Sequence, residues 1–260
     1  MKIAAFIPAR YGSTRFPGKP LALIAGKPMI QHVYEHSAAC RELSDVYVAT
    51  DDERILECVE GFGGKAVMTS DAHRSGTDRI SEAAKSMGLD ADDIVVNIQG
   101  DQPTFPPDIL SQLVGPLIAD PSIPMSTLMY RIRDKENIRN PNHVKVVTDK
   151  DGFALYFSRF PIPFCRDEGS EGRYFKHLGF YGFRMSFLVE FTGMPEGLLE
   201  SIERLEQLRA LENGFRIKVV ESFFDSIEVD VPKDIDLVEG DLHLRSPYRY
   251  ANTDGDLSTC

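Results

Sequence analysis

Three short runs, Ile3–Ile7, Val46–Thr50 and Ile94–Ile98, carry no charge, and each stops at a polar loop. Uncharged strands of this kind are buried on both faces, which in water implies a parallel sheet covered by helices. Segments with apolar residues at helical spacing lie between them. Pro28 opens one, through Met29, Ile30, Val33, Tyr34, Ser37 and Cys40. Asp51 can cap a second, with Ile55, Leu56, Val59 and Phe62 on its buried side and Gly63-Gly64 ending it. Lys65–Met68 reads as another strand, followed by a helix through Ile80, Ala83, Ala84 and Met87. Pro107 opens the next, over Ile109, Leu110, Leu113 and Leu117. Four strand–helix alternations within residues 1–120 predict a doubly wound α/β sheet with right-handed crossovers.

The texture changes at Pro121. Val144–Thr148 and Phe153–Ser158 flank Asp149-Lys150-Asp151-Gly152, a hairpin signal. Met125–Tyr130 and Phe175–Phe183 read as further strands, and Pro161 and Pro163 as an extended loop. Residues 121–190 are therefore expected to form an antiparallel extension of the sheet, with an aromatic surface that suits either core or a subunit interface. Leu199, Ile202, Leu205, Leu208 and Leu211 stripe one long helix over Leu198–Glu212, ended by Asn213-Gly214. Phe215–Val220 is a strand, and a helix is expected to begin near Pro232, just after Asp230. From Asp241 the chain is polar, a tail that could pack through Tyr248 and Tyr250. Residues 1–240 thus read as one domain.

Ligands of open α/β sheets bind beyond the carboxyl ends of the strands. The first such end carries Arg10, Gly12, Ser13, Arg15, Gly18 and Lys19, glycines for tight turning and cations for phosphate oxygens. It is not a Walker A loop, because Pro20 stands where that motif needs Ser or Thr after Lys19. The formal charge is −11, which disfavours nucleic acid and anionic membranes as partners. A basic focus on such a chain suits a small anionic ligand. Two more polar loops, Ser75-Gly76-Thr77 and Gln99-Gly100-Asp101, should reach the same edge. A carboxylate at a strand end, such as Asp101 or Asp230, suits either a magnesium ion or a helix cap. Cys40, Cys58, Cys165 and Cys260 lack metal or disulfide spacing. With no signal-like or membrane-length apolar run, they suggest a reducing cytoplasm.

Several strings are long and unusual. They are Pro8-Ala9-Arg10-Tyr11-x-Ser13-Thr14-Arg15-x-Pro17-Gly18-Lys19-Pro20, Gly26-Lys27-Pro28-Met29, Ser75-Gly76-Thr77-Asp78-Arg79 and Asn97-x-Gln99-Gly100-Asp101. With Ala154-Leu155-Tyr156-Phe157-Ser158-Arg159, His177-Leu178-Gly179-x-Tyr181, Leu205-Glu206-Gln207-Leu208-Arg209 and Val229-Asp230-x-Pro232, they run in order from residue 3 to about 240. Together they resemble the 3-deoxy-manno-octulosonate (Kdo) cytidylyltransferase family. The resemblance implies a Rossmann-like nucleotide-diphospho-sugar transferase fold with a dimerising extension, and a Mg²⁺-dependent homodimer. It implies transfer of CMP from CTP to a 3-deoxy-2-keto sugar acid for lipopolysaccharide synthesis.

The same resemblance implies roles. Arg10, Arg15 and Lys19 would hold the triphosphate, with Arg10, Lys19 and Asp101 as the catalytic set. Ala9, Ser13, Arg74, Ser75, Gly76 and Gln99 would complete the nucleotide site. Asp101 and Asp230 would hold magnesium. Arg159, Arg166, His177, Tyr181, Glu206 and Gln207 would meet the sugar; read without the family, Arg159 and Arg166 are equally rim ion pairs and His177 a core histidine. Two positions depart from the common pattern, where Gln102 and Asp78 replace glutamates. Some relatives sharing Gly-Thr-Asp-Arg, Gly-Asp-Gln-Pro and the 224–230 string Phe-Asp-Ser-Ile-Glu-Val-Asp use 8-amino-3,8-dideoxy-manno-octulosonate, so that sugar is the alternative substrate. An acidic residue near the sugar tail would favour it. A non-catalytic nucleotide-binding module and a nucleotidyltransferase acting on a sugar phosphate are the other readings.

Overall fold

A computed structural model describes residues 1–12, 16–167 and 172–244. Its elements begin with β1 (Ile3–Ala9), a 3-10 turn (Lys19–Leu21), the short strands β2 (Leu23–Ile24) and β3 (Lys27–Pro28), and α1 (Met29–Ala38). Then come β4 (Asp45–Thr50), α2 (Glu53–Gly61), β5 (Ala66–Met68), α3 (Gly76–Ser86), β6 (Ile94–Asn97) and α4 (Asp108–Ala119). The second half holds β7 (Met125–Arg131), α5 (Lys135–Arg139), β8 (Lys145–Thr148), β9 (Ala154–Ser158), β10 (Phe175–Arg184) and α6 (Met185–Gly193). It ends with α7 (Leu198–Glu203), α8 (Leu208–Glu212), β11 (Ile217–Ser222) and α9 (Asp234–Leu244).

The main sheet has the order β11-β7-β10-β6-β1-β4-β5. β1 pairs in parallel with both β4 and β6, so the chain moves outward in opposite directions from β1. That reversal leaves a crevice beyond the carboxyl ends of β1 and β6. Strand alternation divides the core. Ile3, Ala5, Ile7 and Ala9 face α1, α2 and α4, through residues such as Val33, Val59 and Leu113. Ala4 and Phe6 face α3, α6 and α8, through Ile80, Phe191 and Leu208. The doubly wound expectation for residues 1–120 is met.

Three local expectations need correction, after one placement. In the antiparallel extension expected over residues 121–190, β7 and β10 lie inside the sheet, with β10 antiparallel to both β6 and β7, and β7 parallel to β11. Only the β8–β9 hairpin stands off the sheet path, through β10. Periodicity finds strands but not their partners, which is why the insertion of β10 was not visible. Asp52, not Asp51, caps α2, accepting from the amide of Arg54 at 3.0 Å. The last helix begins at Asp234 and runs to Leu244, so it enters the supposed tail and Asp230 does not cap it. Residues 245–260, including Tyr248 and Tyr250, lie outside the described residues.

The third correction matters most for the site. The long helix over 198–212 is broken into α7 and α8 by Arg204, which adopts a left-handed conformation at φ 54°. Arg159 supplies the reason. Its guanidinium donates to the carbonyls of Glu203 (2.7 Å), Arg204 (3.3 Å) and Pro141 (3.1 Å). These bonds satisfy carbonyls left open where α7 stops. Beneath it the fully buried Lys145 donates to the carbonyls of Asn140 (2.9 Å) and Arg159 (2.6 Å). Arg209 then ties the two short helices by a bidentate pair with Glu200, at 2.8 and 2.6 Å. Ile202, expected in the apolar stripe, is 69% exposed.

Removing one partner of an enclosed ion pair costs far more than the pair contributes, because the other charge is left without compensation. Glu200→Gln should therefore lower unfolding stability by about 3 kcal/mol. Urea denaturation of the variant against the parent chain measures it, and an unchanged midpoint would show that the pair does not secure the break.

Candidate active site

The cleft is built from three strand ends. β1 stops at Ala9, and Arg10 follows on an exposed bend. Gly18 turns the loop back at φ 70°, its amide donating to the carbonyl of Tyr11 at 2.9 Å. A Cβ there would meet the Tyr11 ring at 3.1 Å, so a side chain is refused twice over. Lys19 thereby enters the cleft. Its ammonium donates to Asp101 Oδ2 at 2.7 Å and to the carbonyl of Val229 at 2.9 Å.

The second wall is the start of α3. Ser75 caps it, accepting from the amide of Asp78 at 3.1 Å. Gly76 allows close approach, since a Cβ there would lie 3.0 Å from Pro8 Cγ. The open amides of a helix start attract anions. The third wall is the loop after β6, where a Cβ on Gly100 would lie 3.2 Å from the carbonyl of Pro8. Together these walls enclose about 320 Å³, lined by Ala9, Arg10, Lys19, Arg74, Ser75, Gly76, Gln99 and Asp101. Every described residue of the expected nucleotide set lines this one cavity; Ser13 and Arg15 lie outside the described residues.

Asp101 and Asp230 reach the same edge by strand-like pairing. The amide of Val229 donates to the carbonyl of Asp101 at 2.9 Å, and Thr104 bridges Ile227 in antiparallel sense. Asp101 sits well before α4, which begins at Asp108, so neither aspartate is a helix cap. Both offer hard oxygen donors, which fit magnesium. Among the described residues no three His, Cys, Asp or Glu side chains gather closely enough to hold a metal unaided. Substrate oxygens would have to complete such a site.

A second cavity of about 930 Å³ continues from the first, sharing His73, Arg74 and Ser75 and reaching Glu206 and Arg209. Glu206 and Gln207 lie in the break between α7 and α8, not on one helix as expected. Glu206 accepts from the Thr77 hydroxyl, and burial holds its carboxyl above the usual range. Tyr181 donates to Gln207 Oε1 at 3.0 Å; burial raises its phenol well above 10, and the charges of Glu206 and Glu228 add to that. Several enclosed polar atoms here have no hydrogen-bond partner among the described residues: Glu206 Oε1, which only reaches Arg209 as an ion pair at 4.0 Å, Gln207 Nε2, Asn97 Oδ1 and Gln102 Oε1. Burying a polar group without a hydrogen bond is costly, so such a cluster marks a place where a hydroxyl-rich ligand would be received.

The remaining sugar candidates separate. His177 packs against Phe157 and Tyr181, with ring centroids at 5.0 and 5.3 Å, and its Nε2 meets the Thr127 hydroxyl at 2.9 Å. A bulge in β10 between Leu178 and Tyr181 sets these two rings together. Arg159 makes three bonds to main-chain carbonyls, which hold it as a clamp on the break between α7 and α8. Arg166 is exposed in the segment after β9 and lines neither cavity. Sequence reasoning passed over Arg79, which lines the first cavity, buried and held by Thr69 (2.6 Å) and Asp51 (2.8 Å). Its signal lay in the Ser75–Arg79 string. Thr77, Arg209 and Glu228 were likewise not assigned.

The chain was compared with known proteins. A family model described as cytidylyltransferase matches residues 4–221. The 3-deoxy-manno-octulosonate cytidylyltransferase of Desulfatibacillum aliphaticivorans is 58% identical over 92% of this chain and 98% of its own length. The 8-amino-3,8-dideoxy-manno-octulosonate cytidylyltransferase of Shewanella halifaxensis is 55% identical over 93% of this chain and 99% of its own. Among solved structures, CMP:2-keto-3-deoxy-manno-octonic acid synthetase complexed with CTP superposes with a TM-score of 0.89 at 41% identity, covering 95% of this chain and all of that one.

Burial, and secondarily the charge of Lys176, push the His177 imidazole down to about 3 from its ordinary 6.5. Between these values the unfolded chain binds the proton and the folded chain does not, so stability rises with pH. The contribution is complete above pH 6.5 and is lost as pH falls toward 3, at about 1.4 kcal/mol per pH unit. Denaturant titrations from pH 4 to 7 should show a steeper loss for the parent chain than for His177→Gln; parallel curves would refute the burial argument.

Proposed function

The chain belongs to the cytidylyltransferase family, and from that premise we propose that it joins CTP to an octulosonate sugar acid, 3-deoxy-manno-octulosonate or its 8-amino analogue, releasing pyrophosphate and a CMP-sugar for lipopolysaccharide synthesis. It is a nucleotidyltransferase. The observation that carries the substrate reading is the junction at Lys19. One ammonium joins the basic loop to Asp101 and to the segment bearing Asp230 inside a phosphate-sized cavity, which a larger cavity continues.

In the proposed reaction the anomeric hydroxyl of the sugar attacks the α-phosphorus of CTP, and the bond to pyrophosphate breaks. Arg10, Lys19, Arg74 and the amides at the start of α3 would take the triphosphate oxygens, holding the leaving group in line. Lys19 would offer a compact charge where negative charge grows. Gln99 and the Ser75-Gly76 turn would contact the cytidine. Asp101 and Asp230 would hold a magnesium ion, which when bound would neutralise phosphate charge and raise the acidity of the attacking hydroxyl. Tyr181, Glu206 and Gln207 would receive sugar hydroxyls, and the neutral His177 ring would back them without adding charge. A non-catalytic binder would have no use for the Asp101 and Asp230 pair, and an enzyme for a sugar phosphate would need cations where Glu206 and Gln207 stand.

One observation favours the 8-amino sugar: Glu228 places a carboxylate beside the Asp101 loop. A homodimer is proposed through the β8–β9 hairpin and the segment after it, where Leu155, Phe160 and Phe164 are exposed. Among the described residues no helix is long and apolar enough to cross a membrane. We assign the enzyme to the cytoplasm, where CTP is made.

Pyrophosphate release from CTP and Mg²⁺ on addition of Kdo tests the reaction, and no release with either sugar acid would overturn it. Lys19→Ala should reduce kcat/KM about 100-fold or more with the urea midpoint little changed. Near-normal turnover would remove Lys19 from the site. Asp101→Asn and Asp230→Asn should each raise the Mg²⁺ concentration needed for half-maximal rate. A rise for Asp101→Asn alone would reduce Asp230 to a structural role.

A further inference from the structure

Two chain segments run side by side at the far wall of the cleft, residues 101–104 and 226–230, joined by the Val229 amide and the Thr104–Ile227 bridge. Along the second segment Val229 is fully buried, while Glu228 and Asp230 are turned the other way and reach solvent. In an extended chain, residues two apart on one face stand about 7 Å from each other. Glu228 thus extends the carboxylate edge of Asp101 and Asp230 by one position.

Its carboxylate is held in place. Gln102, only 1% exposed, donates from Nε2 to Glu228 Oε1 at 3.0 Å. The same amide lies against the bulge of β10 and the nucleotide wall, since a Cβ on Gly179 would stand 3.5 Å from Gln102 Nε2 and 3.4 Å from Gln99 Cγ. Two cations near this segment are taken: Lys176 pairs with Asp225 at 3.0 Å, and Lys19 with Asp101 at 2.7 Å. No cation forms an ion pair with Glu228 among the described residues. A fixed, accessible carboxylate without an ion-pair partner is chemically matched to an alkylammonium, whose N–H groups donate charge-assisted hydrogen bonds.

We infer that Glu228, oriented by Gln102, is the specificity residue that reads the far end of the sugar acid and selects an ammonium there over a hydroxyl. The inference rests on the sugar-acid reading of the cleft. With the reacting hydroxyl at Asp101 and Asp230, Glu228 stands about 7 Å along the same edge, a distance that the opposite end of an octulosonate can span. A primary amine is protonated at neutral pH. Its charge-assisted bond to a carboxylate exceeds the neutral bond a hydroxyl could make there.

The test compares Kdo with 8-amino-3,8-dideoxy-manno-octulosonate as acceptors for the full chain, by pyrophosphate release with CTP and Mg²⁺. The quantity read is the ratio of kcat/KM, amino sugar over Kdo. We expect it to exceed one in the parent chain, to fall about tenfold or more in Glu228→Gln, and to be largely restored in Glu228→Asp. A parent ratio below one, or one that Glu228→Gln leaves within twofold, overturns the inference while the reaction stands. A raised Mg²⁺ requirement with an unmoved ratio also overturns it, by making Glu228 part of the metal edge. Turnover of neither sugar would sink the underlying reaction itself.

Discussion

The cleft depends on one ammonium. Lys19 reaches Asp101 across 82 positions of sequence and Val229 across 210, tying the loop after β1 to the loop after β6 and to the segment bearing Asp230. Loop-closure entropy grows only slowly with length, so the great separation of these segments is cheap once the sheet has formed. The electrostatics are less forgiving. Asp101, Glu228 and Asp230 lie on adjoining segments, and their mutual repulsion would open that edge without a cation between the walls. The arrangement therefore prepays for charge. A triphosphate arriving at Lys19 would meet an ammonium already fixed by two acceptors, and a divalent ion at Asp101 would replace the neutralisation that Lys19 now provides.

Two irregularities aim the side chains that regular elements would misdirect. The β10 bulge admits Gly179 and Phe180 between paired residues, and Thr127 pins it by donating to the carbonyl of Phe180 at 2.7 Å. Without the extra residues, Tyr181 would not sit beside His177. The break at Arg204 has the same effect on the opposite wall. In an unbroken helix Glu206 and Gln207 would diverge by about 100°. In the break they sit where Tyr181 bonds one and Thr77 the other. Lys145, Arg159 and Glu203 form the support for that break, and all three act through main-chain carbonyls or amides. A buried lysine and an arginine clamp are costly to enclose, and here the cost maintains geometry.

What could be read from the sequence follows from this division. Strand ends and helix faces of residues 1–120 were legible because burial imposes a period on the residues themselves. Each described member of the expected nucleotide set, from Ala9 to Asp101, sits at such an end. The second half resisted, because partner choice is a tertiary property. Nothing in Phe175–Phe183 says that it inserts between two strands formed earlier in the chain. The 198–212 stripe was a true helical pattern overruled by carbonyl bonds from a residue some 45 positions away. The bonds of Arg159 to main-chain carbonyls were not legible for a related reason. A motif names which residues recur, not whether they act on ligand or on backbone.

The charge pattern of the cleft gives the remaining step. The chain is acidic overall, at −11, yet the first cavity gathers Arg10, Lys19, Arg74 and Arg79, with Asp101 the one carboxylate among its described lining residues. Glu228 and Asp230 stand on the neighbouring segment, which pairs with the Asp101 loop. Two anionic substrates bound together would repel, and a uniformly basic cavity would bind the nucleotide without orienting its partner. A basic cavity with a carboxylate edge separates these demands. The cations fix the triphosphate, and the carboxylate edge tolerates the sugar acid only if cations accompany it. Magnesium would supply one at Asp101 and Asp230. An ammonium on the sugar would supply the other at Glu228, a carboxylate that the free protein holds by the Gln102 amide and pairs with no cation among the described residues.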